Sequence, residues 1–118
     1  MLEDQLRTTT VTIADGQSLS GATAAVSGMK VIGAIVPAAN WTAAKLTFQG
    51  SIDGTVFADV YGASAEYETP ELAAGDAAAL NPEVMAPWRY IKVRSGTSGA
   101  AVVQAGGDVV TLIMEARR

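Results

Sequence analysis

The sequence contains neither cysteine nor histidine. Without cysteine, disulfides and thiolate metal sites are excluded. Without histidine, the usual general base, the commonest metal ligand and the side chain that titrates near neutral pH are all missing. Nucleophilic triads and the paired-histidine zinc motif cannot be assembled from what remains. Charge is scarce as well, at 17% of 118 residues against about 25% in ordinary soluble domains. That shortage fits a surface partly hidden in an assembly, and it fits equally an alanine-rich coding bias. Basic residues number 8 against 12 acidic ones, for a net charge of −4, so the electrostatic footprint of nucleic-acid binding is absent. The longest apolar run, Val31 to Ala39, falls far short of the roughly 20 residues that span a bilayer as a helix. Met1-Leu2-Glu3-Asp4-Gln5 is acidic and polar, so the expectation is no signal peptide and synthesis in the cytoplasm.

What is present is a succession of turn signals. Asp15-Gly16, Ser27-Gly28, Asp53-Gly54, Gly75-Asp76, Asn81-Pro82, Ser95-Gly96 and Gly106-Gly107 separate short segments rich in Val, Ile, Thr, Phe and Tyr. Such spacing predicts an antiparallel sandwich or barrel, and no segment keeps a helical apolar period. Thr8 to Ala14 alternates, with Val11 and Ile13 on one face. Lys30 to Val36 is apolar on both faces, which suits a central strand or one covered by a partner subunit. Lys45 to Ile52 alternates with Leu46, Phe48 and Ile52 inward, and Asp53-Gly54 predicts a tight type I′ hairpin into Thr55 to Tyr61. Arg89 to Arg94 alternates with Ile91 and Val93 inward and Tyr90, Lys92 and Arg94 outward. Ala101 to Ala105 and Val109 to Glu115 complete the strands. Ala63 to Pro87 reads as a long connection with one short strand near Ala77 to Leu80.

Few residues suggest chemistry. Glu66, Glu68, Glu71 and Asp76 offer oxygen ligands, but their spacing matches no calcium loop and a solvated acidic loop accounts for them. Asp53 and Asp59 make a carboxylate pair, yet Asp53 has a sufficient role in its turn. Ser95-Gly96-Thr97-Ser98-Gly99 lacks the Gly-Lys-Ser/Thr ending of a phosphate loop. Arg89, Lys92 and Arg94 gather positive charge beside Tyr90 and near Trp88, a combination that binds a glycan, a carboxylate or an acidic partner surface, or is an ordinary solvated strand face. Trp41 and Trp88 each precede a strand and read as core or core-edge anchors.

Two blocks carry a resemblance. Trp41-Thr42-Ala43-Ala44-Lys45-Leu46-Thr47-Phe48-Gln49-Gly50-Ser51-Ile52-Asp53-Gly54 is followed by Val60-Tyr61, by Arg89-Tyr90-Ile91-Lys92-Val93-Arg94-Ser95-Gly96-Thr97 and by Val103-Gln104. Together they resemble small structural proteins encoded among the head genes of tailed phages and gene transfer particles. The core blocks also resemble discoidin-type (galactose-binding-like) jelly rolls, in which a tryptophan leads into a strand, S-x-D-G turns a hairpin and R-Y-I-K-V forms a later core strand. Glycan-binding discoidin modules carry long loops with aromatic or basic tips and often a disulfide. Here the loops are short and alanine-rich, so the likeness implies the sandwich rather than the ligand.

The expectation is therefore an all-β, antiparallel, jelly-roll-like β-sandwich with little or no helix. It spans residues 1–118 as one domain, with short arms at 1–8 and 115–118. The resemblance implies a non-enzymatic virion structural protein, in the first place a capsid decoration protein on the outer shell. A glycan-binding module and a head–tail connector or tail component are the alternatives. No catalytic residue, metal or cofactor is expected. The expected partners are the major capsid protein or other virion proteins and further copies of the chain, a trimer being favoured; nucleic acid and membrane are not expected, and a glycan enters only with the alternative reading. The candidate interface is Trp88, Tyr90, Lys92 and Arg94, with Val31 and Ile35 from the doubly apolar strand.

Overall fold

Alternation at a period of two gives each strand one apolar face, and two such faces must close on each other. In the computed structural model, which describes residues 6–116, they do so as two four-stranded antiparallel sheets. The strands are β1 (Leu6–Ile13), β2 (Ala24–Ala25), β3 (Met29–Ile35), β4 (Leu46–Ser51), β5 (Ala58–Asp59), β6 (Ala77–Ala79), β7 (Tyr90–Ser95) and β8 (Asp108–Ala116). One sheet has the order β1-β8-β3-β6 and the other β2-β7-β4-β5. First pairs with last, second with seventh, third with sixth and fourth with fifth. The chain is thus one long hairpin, rolled up so that β3 meets β8 and β4 meets β7, which is the jelly roll.

The core lies between the sheets. Val11, Ile13, Val31, Ala34, Val110 and Leu112 come from the first sheet, and Leu46, Phe48, Ile91 and Val93 from the second; all are buried. Each of these side chains apart from Ala34 contributes about 1.5–3 kcal/mol when removed from water. A short helix, α1 (Pro82–Met85), starts at Asn81, whose side chain accepts from the Glu83 amide, and delivers Met85 into the core.

Some expectations change. Asp53-Gly54 does not form a two-residue turn: only Gly54 has positive φ (79°), and Gly50 pairs with Ala58, leaving a longer loop. Type I′ needs positive φ at both central residues, and Asp53 does not supply it. Strand β4 ends at Ser51, so Ile52 is exposed at the loop tip rather than buried with Leu46 and Phe48. Ala101 to Ala105 is irregular apart from one bridge between Gly96 and Ala101. Leu6 to Thr8 and Glu115 to Ala116, expected in terminal arms, belong to the β1–β8 pair; residues 1–5 and 117–118 lie outside the described residues.

Val31 also moves. It is core (1% exposed), whereas Ile35 faces outward (37%), although both are odd-numbered positions of one strand. A bulge between Val31 and Gly33 inserts one residue opposite the Met114–Ile113 step, and one residue exchanges the faces.

Trp88 packs against Gly50 from the core side: a Cβ at Gly50 would sit 2.4 Å from the Trp88 Cδ2. Gly50→Ala must therefore displace the indole. Chemical denaturation is expected to show a loss of about 1–3 kcal/mol, with red-shifted tryptophan emission. An unchanged midpoint and spectrum would mean that Trp88 is not seated there.

Candidate functional site

The outward face of the β2-β7-β4-β5 sheet holds Lys92 and Arg94, two of the basic residues that the sequence groups near aromatics. Arg94 on β7 lies opposite Thr47 on β4, and Gln49 on β4 opposite Asp59 on β5. The Arg94 side chain therefore crosses β4 and meets carboxylates from the far edge. Its Nη2 donates to Asp59 Oδ1 at 2.7 Å and its Nη1 to Glu66 Oε2 at 3.1 Å. Glu66 also accepts from the Ser98 amide and hydroxyl, both at 3.1 Å, and Asp59 accepts from Gln49 Nε2 at 3.2 Å. Thr47 Oγ1, beneath the guanidinium, donates to the Gly96 carbonyl.

This cluster has a structural task. Segment 58–69 follows the outer edge of β4, where Val60 N bonds the Phe48 carbonyl and Thr69 N the Leu46 carbonyl. Arg94 fastens that segment down, and its side chain is left only 10% exposed. The Arg94 hydrogen bond is the chief reason that the Asp59 carboxyl is held below the ordinary aspartate value. Both carboxylates of the cluster are thus engaged by the one guanidinium.

The expected interface residues are not brought together. Arg94 points outward, as alternation requires, but is covered and held by Asp59 and Glu66. Lys92 sits 4.7 Å from the Phe57 ring centroid, and Tyr90 lies half-buried against Gly54. Trp88 turns to the core side and Val31 is inside the core. A glycan platform of exposed Trp88, Tyr90 and Arg94 therefore does not exist.

The carboxylates scatter similarly. Glu68 pairs with exposed Lys45 at 2.6 Å, raising the lysine pKa, and Asp76 accepts from the Ala73 amide. Asp53 takes the Thr55 and Val56 amides, at 2.9 and 3.0 Å, which holds its carboxyl low and stiffens the loop. Among the described residues no three acidic, histidine or cysteine side chains form a metal-binding group. Gly96 (φ 87°) is fixed by crowding, since a Cβ there would meet Ala100 O and Val102 N at 2.6 Å, so the Ser95–Gly99 loop is a structural turn.

Gln104 escapes a reading of sequence as a site residue. Fully buried, its Nε2 donates to Ser95 Oγ (2.7 Å) and to the Thr42 carbonyl, and its Oε1 accepts from the Thr42 amide. A glutamine between Val103 and Ala105 in a loop gives no hint of this staple.

The other sheet presents a different face. Row by row it shows Thr12–Val109, then Thr10–Thr111–Ile35–Ala77, then Thr8–Ile113–Gly33–Ala79. Charge enters only at the Lys30–Glu115 end. Leu6, Ile35 and Val109 are 44%, 37% and 43% exposed, and Ile113 lies over Gly33, 3.3 Å from where a Cβ would stand. No helix among the described residues is long and apolar enough to cross a membrane.

No family model and no curated protein matches the chain. Among solved structures it is similar to the SPBc2 prophage-derived protein YomS, with a TM-score of 0.54 and 13% identity over 92% of this chain and 93% of that one. It is also similar to the Yersinia pseudotuberculosis-derived mitogen, with a TM-score of 0.41 and 10% identity over 95% and 86% of the two chains. A third likeness is to Bacillus endospore appendages that form disulfide-linked pili, with a TM-score of 0.34 and 11% identity over 96% and 90%. The first shows a shared fold with a prophage-derived protein; the other two are too distant to support an argument.

The Arg94 cluster makes a definite prediction. Arg94→Ala strands Asp59 and Glu66, and denaturant unfolding at pH 7 should show a loss of about 3 kcal/mol. Because Asp59 binds protons less readily folded than unfolded, its contribution is complete above about pH 4 and lost as pH falls through its folded pKa. Asp108, whose carboxyl is pushed up by burial, works in the opposite sense. The difference between wild type and Arg94→Ala isolates the pair: it should shrink on acidification, and a pH-independent difference would remove the ion pair from the explanation.

Proposed function

We propose that this chain is a non-enzymatic virion structural protein that decorates the outside of a capsid and docks through the outward face of its β1-β8-β3-β6 sheet. The observation that carries the reading is the pair of charge-free rows across all four strands of that face. Threonine and alanine keep such a face soluble when bare, while its valine and isoleucine side chains gain by being covered. The opposite sheet is a poor alternative, because its central cation is already neutralised within the chain.

The fold shared with a prophage-derived protein and the sequence likeness to phage head proteins favour the same role. Many copies on a repeating lattice turn a weak contact per chain into firm attachment, so the face need not be strongly apolar. The partner in this reading is the major capsid protein, and the location is the virion surface. The scattered, internally paired carboxylates favour a protein without catalysis.

The test is co-sedimentation of the purified chain with tailed-phage heads that lack it. Wild type should pellet at a stoichiometry related to the shell subunits. Thr111→Lys buries an uncompensated charge at the centre of the contact, and should weaken attachment at least about tenfold while leaving stability within about 0.5 kcal/mol. Wild-type protein that stays in the supernatant, or a Thr111→Lys variant that binds like wild type, would reject the reading.

A further inference from the structure

Sheet edges are normally protected, and the edges here are unequal. The outermost strands β2 and β5 have two residues each and β6 has three, too short to template another strand. The remaining edge, β1, has eight residues, and among the described residues it pairs with β8 alone. Thr8-Thr9-Thr10-Val11-Thr12-Ile13 contains no proline, no charge and no bulge, and every residue in it is β-branched. Among the described residues, Thr8 to Ile13 carries none of the usual edge-blocking devices, the strand's single charge being Arg7 at its start.

We infer that β1 is a self-association edge, at which a second copy of this chain adds its own β1 antiparallel about a two-fold axis and joins two four-stranded sheets into one of eight. The strand's own sequence selects that occupant. A two-fold perpendicular to the sheet keeps inner faces together only in registers whose paired residue numbers sum to an even value. Pairing Thr10 with Thr10 of the second copy sets Thr8 opposite Thr12 and Thr9 opposite Val11. Thr–Thr pairs then line the outward side, and no like charges meet. The two-fold sets each copy's Arg7 opposite the other's Ile13, so the strand's only charge among the described residues lies at the ends of the seam, outside the threonine rows. A strand from an unrelated protein would have no reason to carry this complement.

The inference goes beyond the virion reading and does not depend on it, although a two-fold seam of this kind would lay two uncharged faces side by side. It also replaces the three-fold arrangement expected from sequence with a two-fold one.

Because the chain has no cysteine, single-cysteine trapping is unambiguous. Thr10→Cys places its thiols about 5 Å apart across the seam, within reach of a disulfide. Thr111→Cys lies one strand further in on each copy, about 14 Å from its mate, and cannot close. Sedimentation velocity of the wild type should show a dimer at high micromolar concentration. Mild oxidation should convert most of Thr10→Cys, and essentially none of Thr111→Cys, into a covalent dimer. Thr10→Lys, which opposes two like charges at the seam, should return the chain to a monomer, with the wild-type unfolding midpoint at concentrations too low for either to dimerise. A wild type that stays monomeric would overturn the inference, whether or not a foreign strand binds the edge. So would a dimer that Thr111→Cys traps, which marks face-to-face packing, or one that neither cysteine traps. A monomer that still attaches to phage heads would sink this inference alone. A trapped dimer that ignores heads would sink the virion reading alone.

Discussion

The two faces of this sandwich differ because of one buried guanidinium. Arg94 leaves a strand whose neighbours Ile91 and Val93 are fully buried and turns to the other side, where it is drawn between Asp59 and Glu66. A cation so nearly enclosed is tolerable only if its charge and donors are matched, and here two carboxylates and a threonine hydroxyl do so. The same bonds pin segment 58–69 along β4 and cover Thr47, a polar residue that alternation would leave in water. One sheet is thereby closed by its own polar network. The other keeps an outward face with nothing laid over it among the described residues.

That asymmetry orders the functional reading. At the Lys45 end of the closed sheet a pocket is lined by Glu68 and Glu71, but Glu68 is already paired with Lys45. The open face has uncharged rows and, at β1, a long edge that pairs with β8 alone among the described residues. Low charge and a long edge are liabilities for a protein that stays alone, and assets for one that assembles.

Much of the architecture is legible in the sequence, because alternation reports directly on which side of a strand meets the core. Val11 and Ile13, Leu46 and Phe48, and Ile91 and Val93 are inward as the period of two requires. The expectation fails where a feature depends on something the local pattern does not contain. A single bulge residue in β3 puts Val31 inside and Ile35 outside, although alternation assigns them to one face. Arg94 is outward as read, but its burial depends on Asp59 and Glu66, 35 and 28 residues away in the chain. Gln104 reaches back 62 residues to Thr42, and no periodicity signals that. The candidate site was therefore less legible than the fold, since strand faces are local and the closure of a face is not.

The central claim is that the two faces have different fates on a particle, and hydroxyl-radical footprinting of the bound chain measures this directly. Free protein should be oxidised at Val109 and Ile113 on the open face and at Tyr61, an exposed aromatic beside the closed one. On capsids, Val109 and Ile113 should become protected while Tyr61 reacts as before. Protection of Tyr61 with Val109 and Ile113 unchanged would mean that the closed face docks, and would contradict the account.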